Sequence, residues 1–210
     1  MAPPGTPADC RHAKHNLQSG GWQRARATAS RRWRRRPAAP RMDRQHHYTI
    51  TNRWTGNLGT GTSAYAAYSR AHELSGMGKA GVIPGSSDTA FRGDRTRYNP
   101  EELLLGALSA CHMLWVLHLC ADAGITVTEY ADDAWGEMVE HPDGSGEFTR
   151  AVLNPRMRIQ QADRISDAVA LHQQAHAVCA LARSVKFPVE HRPRVSAEGP
   201  SNLSTDVTHK

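Results

Sequence analysis

Asn99 to Asp122, NPEELLLGALSACHMLWVLHLCAD, constrains the chain more than any other stretch, because Leu103 to Ala121 carries no Lys, Arg, Asp or Glu. Asn99 is a good N-cap. Pro100 suits the first helical position, where its missing N–H costs nothing. Glu101 and Glu102 place negative charge on the positive end of the helix dipole. The apolar residues circle the helix instead of keeping to one stripe, which predicts burial on nearly every side. A bilayer span needs ~20 such residues. Ser109, His112 and His118 interrupt this one and no second hydrophobic span accompanies it, so the segment reads as a core helix and no membrane partner is expected. Cys111 lies at its middle, followed by His112. A free buried cysteine is most often an inert core residue, so the remaining chain must say whether Cys111 is more than that.

The charge is unevenly spread. Residues 1–42 hold ten Arg or Lys and one acid, Asp9, whereas residues 43–210 hold 16 basic and 19 acidic side chains. The formal charge of +6 therefore belongs to the first segment, and the body is slightly acidic. Residues 1–42, with the run RRWRRR at Arg31–Arg36, read as a disordered extension, with Met42 as an alternative start. A nucleic-acid-binding arm using its arginines with Trp22 and Trp33 is the competing reading. Four cysteines, Cys10, Cys111, Cys120 and Cys179, form no CxxC pair. That fits a reducing, cytoplasmic compartment with at most a redox or catalytic thiol, not a disulfide framework.

Tyr48, Ile50, Asn52 and Trp54 alternate with other residues as a strand does, and Ser63 to Arg70 reads as the returning strand. Ser75 to Tyr98 is a long loop region leading into the Cys111 helix, and loops of that length are commonly functional. Gly124 ends the helix. Ile125 to Glu140 reads as a long strand, His141 to Gly146 as a hairpin turn, and Glu147 to Gln160 as its return. Ala162 to Val185 reads as a second helix and Lys186 to Val195 as a last strand. The order implies an α+β fold, helices on antiparallel sheet. The expected boundaries are an extension at 1–42, one domain at 43–196 and a disordered tail at 197–210. A helix apolar all round needs cover on its far side too, which a homodimer supplies.

Three constellations could carry chemistry. Cys111 and Cys179, each placed on a helix, could act as a redox pair if one forms a thiolate and the other captures its sulfenic acid. Cys120 lies about half a turn round the helix from Cys111 and cannot pair with it. His172, His176 and Cys179 fall at i, i+4 and i+7, a spacing that can hold a metal, with Cys111 or His112 completing four ligands. Single arginines follow: Arg70 at a strand end, and Arg92, Arg95 and Arg97 in the loop.

Asn99 to His112 resembles the signature helix of the OsmC/Ohr family of thiol peroxidases, whose Asn-Pro-Glu start precedes an Ala-Cys with a peroxidatic cysteine. The stretch AHAVCALARSV sits where that family carries its resolving cysteine, and the resemblance runs from about Tyr48 to Val195. SACHMLWVLHLCADAG and HQQAHAVCALARSV look most like a less characterised OsmC-like subgroup. The resemblance implies an OsmC-like fold of antiparallel sheets around central helices in an intertwined homodimer. It makes Cys111 peroxidatic, Cys179 resolving and Glu101 the carboxylate that orients an active-site arginine. Arg70 occupies the position of that arginine in the Ohr branch, and Arg92 is the nearest match to the OsmC branch; Arg70 is preferred. Two departures stand out: Cys179-Ala180 replaces the family's Cys-Pro, and His112 replaces a residue that is often aromatic. Glu101 and Cys111 are also ~15 Å apart along a straight helix, so Arg70 must bridge them or the carboxylate must come from elsewhere in a dimer.

The expectation is therefore a reductase of organic hydroperoxides that needs no cofactor and is recycled by an external dithiol. The alternative is a non-catalytic protein of the same fold that binds a small apolar ligand, or a metal through His172, His176 and Cys179.

Overall fold

The first element after the Arg-rich segment is a strand, β1 (Thr51–Trp54), paired antiparallel with β2 (His72–Ser75), which pairs antiparallel with β3 (Ile83–Gly85). The structure is a computed structural model that describes residues 43–197. Cys10, the RRWRRR run, the expected nucleic-acid arm and the tail from 198 lie outside the described residues. The expected returning strand Ser63–Arg70 is not one. Its aromatic residues, Tyr65 and Tyr68, are three apart and lack the period of two that a strand face needs. Residues 56–71 form a loop instead, closed by Thr55 N–H to the Ala71 carbonyl at 2.9 Å and Ser69 N–H to the Gly56 carbonyl at 2.9 Å. Gly56 is required there: a Cβ would fall 1.8 Å from the Ser69 carbonyl oxygen.

Helix α1 spans Pro100–Asp122. Its start is a full capping box, in which Asn99 Oδ1 accepts the Glu102 N–H at 2.7 Å and the Glu102 carboxylate accepts the Asn99 N–H at 3.0 Å. Among the described helices it alone is long and apolar enough, by length and composition, to cross a membrane. Its last turn closes at Gly124, whose φ of +70° is the left-handed conformation that favours glycine.

The expected long strand Ile125–Glu140 is two strands, β4 (Val127–Asp132) and β5 (Trp135–Glu140), in different sheets. Its return likewise divides into β6 (Gly146–Leu153) and β7 (Pro155–Ile159). The bend is fixed by Asp132, whose carboxylate accepts both the Asn154 N–H at 2.7 Å and the Ser109 hydroxyl of α1 at 2.5 Å. Pro155 has no N–H to give a ladder, so it sits at the first position of its strand.

Helix α2 spans Ile165–Val178, shorter at both ends than Ala162–Val185. Residues 162–164 form a single 3₁₀ turn, and 180–184 are turns. The sequence ALAR favours helix, so tertiary packing has overridden propensity here. Turning the chain at Cys179 lets Ala182, Val185 and Phe187 reach a different part of the core. The expected strand Lys186–Val195 is also two, β8 (Val189–His191) and β9 (Arg194–Ala197), broken at Pro193. β9 thus extends to Ala197.

Two three-stranded sheets result, in the orders β4-β7-β9 and β5-β6-β8, each with one antiparallel and one parallel pair, so they are mixed and not antiparallel as expected, because the chain crosses over through α2 before adding β8 and β9. α1 is long enough to serve both. Its C-terminal half packs Val116 and Cys120 against Met157 and Ile159 of β7 and Ala168, Leu171 and Ala175 of α2. Its N-terminal half packs Leu108 against Ala151 and Leu153 of β6 and Val189 of β8. As α1 advances, its neighbours on α2 and beyond run backward, so the helices are antiparallel. The side of α1 bearing Gly106, Ala107, Ala110 and Leu114 is exposed in the single chain, Leu114 to 62%.

Candidate functional site

The facing sides of α1 and α2 carry the chemistry. Cys111 lies in the middle of α1, partly exposed, and Cys179 caps the end of α2, 1% exposed. Both are free thiols, and the Cys111 side chain lies near enough to Cys179 to act on its thiol. Burial, and after it the contact with Cys111, pushes the Cys179 thiol up, against the pull of backbone N–H groups at Ala182 and Leu181. The helix has ended at this point: Cys179 has φ −65° and ψ 109°, an extended conformation. That is the conformation a following proline would impose, and the chain reaches it with Ala180. Cys179 therefore lies at the helix cap and not on the helix. Cys120 is 0% exposed in the apolar core, its thiol raised by burial.

Next to the thiols lies a group of imidazoles. His112 Nε2 and His172 Nδ1 are 3.1 Å apart, and the two residues are 1% and 0% exposed. His191 of β8 lies against His112, with centroids 5.4 Å apart, and stacks on His176 at 5.0 Å. Tyr130 of β4 stacks on His172 at 6.3 Å. Burial, and then the charge a second imidazole would add, holds His112 down at about 3; burial and His191 hold His172 at about 4. Both are neutral at physiological pH. His191 and Tyr130 escape sequence reasoning, because a lone histidine in VEHRP and a tyrosine on a strand carry no spacing motif.

Among the described residues, no group of three or more His, Cys, Asp or Glu is placed to hold a metal ion. The trio His172, His176 and Cys179 does not converge, since His172 Nδ1 is engaged with His112 Nε2 and Cys179 lies by Cys111.

The other two expected site residues lie elsewhere in the chain. Arg70 packs its guanidinium between the rings of Tyr65 at 4.3 Å and Tyr68 at 4.2 Å and donates to the Tyr68 carbonyl at 2.8 Å. Arg92 approaches the other candidate position through the same ring, 6.0 Å from the Tyr65 centroid. Glu101, in the first turn of α1, borders a cleft of about 410 Å³ with Asp88, Phe91, Asn99, Leu105 and Phe148. Glu101 Oε2 and Arg70 Nη2 are both buried without a hydrogen-bond partner. The chain thus brings Cys111 to Cys179 and Arg70 to Arg92, and it leaves Glu101 at the far end of its helix from Cys111.

Residues 93–193 match the family described as OsmC-like protein. An OsmC-like protein of unknown function from Vibrio cholerae superposes with a TM-score of 0.64 at 25% identity, over 71% of this chain and 100% of that one. An OsmC-like protein from Mycoplasma pneumoniae gives 0.53 at 12% identity, over 74% and 100%. An organic hydroperoxide resistance protein from Elizabethkingia anophelis gives 0.52 at 18% identity, over 74% and 100%. No curated protein matches the chain.

Proposed function

We propose, from the premise that the chain is OsmC-like over residues 93–193, that this protein is a thiol-dependent peroxidase acting on organic hydroperoxides. The observation that carries the reading is the pairing of a partly exposed thiol, Cys111, with a buried one, Cys179, across the α1–α2 contact. A two-cysteine cycle needs that asymmetry. The attacking thiol must meet the substrate, and the resolving thiol must be close, protected and unreactive until needed.

In this cycle the Cys111 thiolate attacks the distal oxygen of the hydroperoxide. The O–O bond breaks, an S–O bond forms, and the alkoxide takes a proton to leave as alcohol. Cys179 then displaces hydroxide from the sulfenic acid, which leaves as water with the Cys179 proton, and an external dithiol reduces the resulting disulfide by exchange. Apolar neighbours of Cys111 on α1 favour an alkyl over a hydrogen peroxide substrate. Arg70 is assigned as the cation that stabilises the thiolate and the leaving oxygen. Glu101 is assigned as the carboxylate that orients it. Their buried, partnerless Nη2 and Oε2 atoms are what two groups meant for each other across an interface would leave in a single chain.

The reading includes a homodimer, whose second copy covers the Ala107, Ala110 and Leu114 side of α1 and completes the site. It also includes a cytoplasmic location, where such thiols stay reduced between turnovers. The test is mass spectrometry of the reduced protein after one equivalent of cumene hydroperoxide. A rapid Cys111–Cys179 disulfide, lost in Cys111→Ser, is the expected result. Thiols unmodified after minutes would refute the enzyme reading.

A further inference from the structure

Alongside the thiols, α1 and α2 share a second polar contact. His112 follows Cys111 in the chain and His172 precedes Cys179 by two turns, and their rings meet at 3.1 Å in a buried setting. The outer nitrogens, His112 Nδ1 and His172 Nε2, have no protein partner, so this contact is the rings' one hydrogen bond among the described residues. Around it the helices touch through Val116, Cys120, Leu171 and Ala175, apolar groups whose attraction is non-directional. A buried hydrogen bond is directional, and separating its partners leaves two more unsatisfied groups in low dielectric.

The thiols need that restraint. A side-chain atom ~6 Å from the helix axis moves by ~2 Å when the helix turns by ~20°. A disulfide requires Cβ atoms ~3.5–4.5 Å apart, so such a rotation suffices to part Cys111 from Cys179.

We propose that His112 and His172 are positioning residues for the Cys111–Cys179 pair, their mutual hydrogen bond holding the rotation of α1 on α2 at which the two sulfurs meet. The geometry stands alone, while its consequence for turnover rests on the peroxidase reading. With the sulfurs in register, the Cys111 sulfenic acid condenses with Cys179 and releases water. With them apart, the sulfenate takes a second oxygen from another hydroperoxide, giving sulfinate and alcohol. The histidine pair thus sets the partition between a recyclable disulfide and a dead-end sulfinate.

The experiment compares the reduced full-length wild type with His112→Leu and His172→Leu, which break the bond. His112→Gln and His172→Asn place an amide where Nε2 and Nδ1 stand. Val116→Ala serves as a control that loosens the same helix contact without touching the pair. Diamide, an azo oxidant that takes two electrons and two protons from a pair of thiols, reports sulfur approach independently of peroxidase chemistry. Disulfide formation with diamide should be about tenfold slower in the Leu variants and within about threefold of wild type in the Gln, Asn and Val116→Ala variants. With cumene hydroperoxide, Cys111 should be oxidised at an unchanged rate in the Leu variants but accumulate as sulfinate.

Disulfide formation at wild-type rate in the Leu variants would overturn the proposal, and so would equal slowing in Val116→Ala. Should the Leu variants fail to fold, His112→Asn, too short to bridge the gap, must be slow where His112→Gln is fast. The diamide result with no hydroperoxide consumption in wild type would uphold the positioning role and refute the peroxidase reading.

Discussion

The double variant His112→Gln/His172→Asn should lose far less stability on acidification than the wild type. In the folded protein burial and the neighbouring imidazoles hold His112 at about 3, and burial with His191 holds His172 at about 4. In the unfolded chain both titrate near 6.5. Between those limits the unfolded state binds more protons than the native one, so stability falls as pH falls. Above about pH 6.5 both states are neutral and the penalty is absent; below about pH 3 both are protonated and the slope vanishes. Two such groups at ~1.36 kcal/mol per pH unit give a slope of ~2.7 kcal/mol per unit, or ~4 kcal/mol by pH 5. Against a typical total of ~5–15 kcal/mol that is a large share, and the loss reaches ~6 kcal/mol near pH 4. At the surface the hydrogen-bonded Arg150 guanidinium holds the Glu137 carboxyl below its ordinary range, so that pair adds nothing to the slope between pH 7 and 5. The amides keep the cross-helix hydrogen bond and cannot titrate in this range. Urea unfolding at pH 7, 6 and 5 and fixed protein concentration, followed by tryptophan fluorescence, measures both slopes. Between pH 7 and 5 the wild type should lose about 4 kcal/mol more than the variant. Parallel curves would refute the reasoning, because they would mean that the imidazoles are not kept neutral by the fold.

Other outcomes follow from single contacts. Asn99→Ala removes the capping box at the start of α1 and should cost about 1 kcal/mol in a urea titration. Leu114→Glu puts charge on the exposed apolar side of α1; light scattering should find a monomer with unchanged circular dichroism, and an intact dimer would mean that the second copy sits elsewhere. Arg70→Met should lower hydroperoxide turnover by about a hundredfold or more, against about threefold at most for Arg92→Met. The reverse order in a steady-state assay would move the active-site role to the loop arginine.

What could be read in the sequence is what depends on neighbours in the chain. The cap at Asn99, the proline at position 100 and the uncharged run fix α1 locally, and the helix starts and ends as the residues require. The breaks in the long strands depend on distant partners. Nothing in VTEYADDAWGEM marks Asp132 as a bend until Ser109 of α1 and the Asn154 N–H are brought to its carboxylate. The early end of α2 has the same origin: ALARSV is sound helical sequence, and only the demand for Ala182, Val185 and Phe187 in the second core turns it aside. Pro193 is the exception, a local breaker that divides the last strand and could have been used to predict it.

The site divides along the same line. Cys111 could be singled out on its helix, but a cysteine 68 residues further on carries no information about distance. Counting Cys179 into a helical i, i+4, i+7 face makes a metal site with His172 and His176 an alternative to the thiol pair. Ending the helix at Val178, one residue before Cys179, changes that chemistry. The extended backbone at Cys179 removes the thiol from the histidine face, turns it toward Cys111 and leaves His172 to bond His112. One backbone angle thus separates a ligand set from a thiol pair, and side-chain spacing alone does not encode it. The difference in exposure between the two sulfurs is likewise a product of packing: Cys179 lies under the segment that turns back after α2, and Cys111 stays on a partly open face of α1. In the peroxidase reading that difference alone decides which sulfur meets the substrate, so the roles of the two cysteines come from the fold and not from their order in the chain.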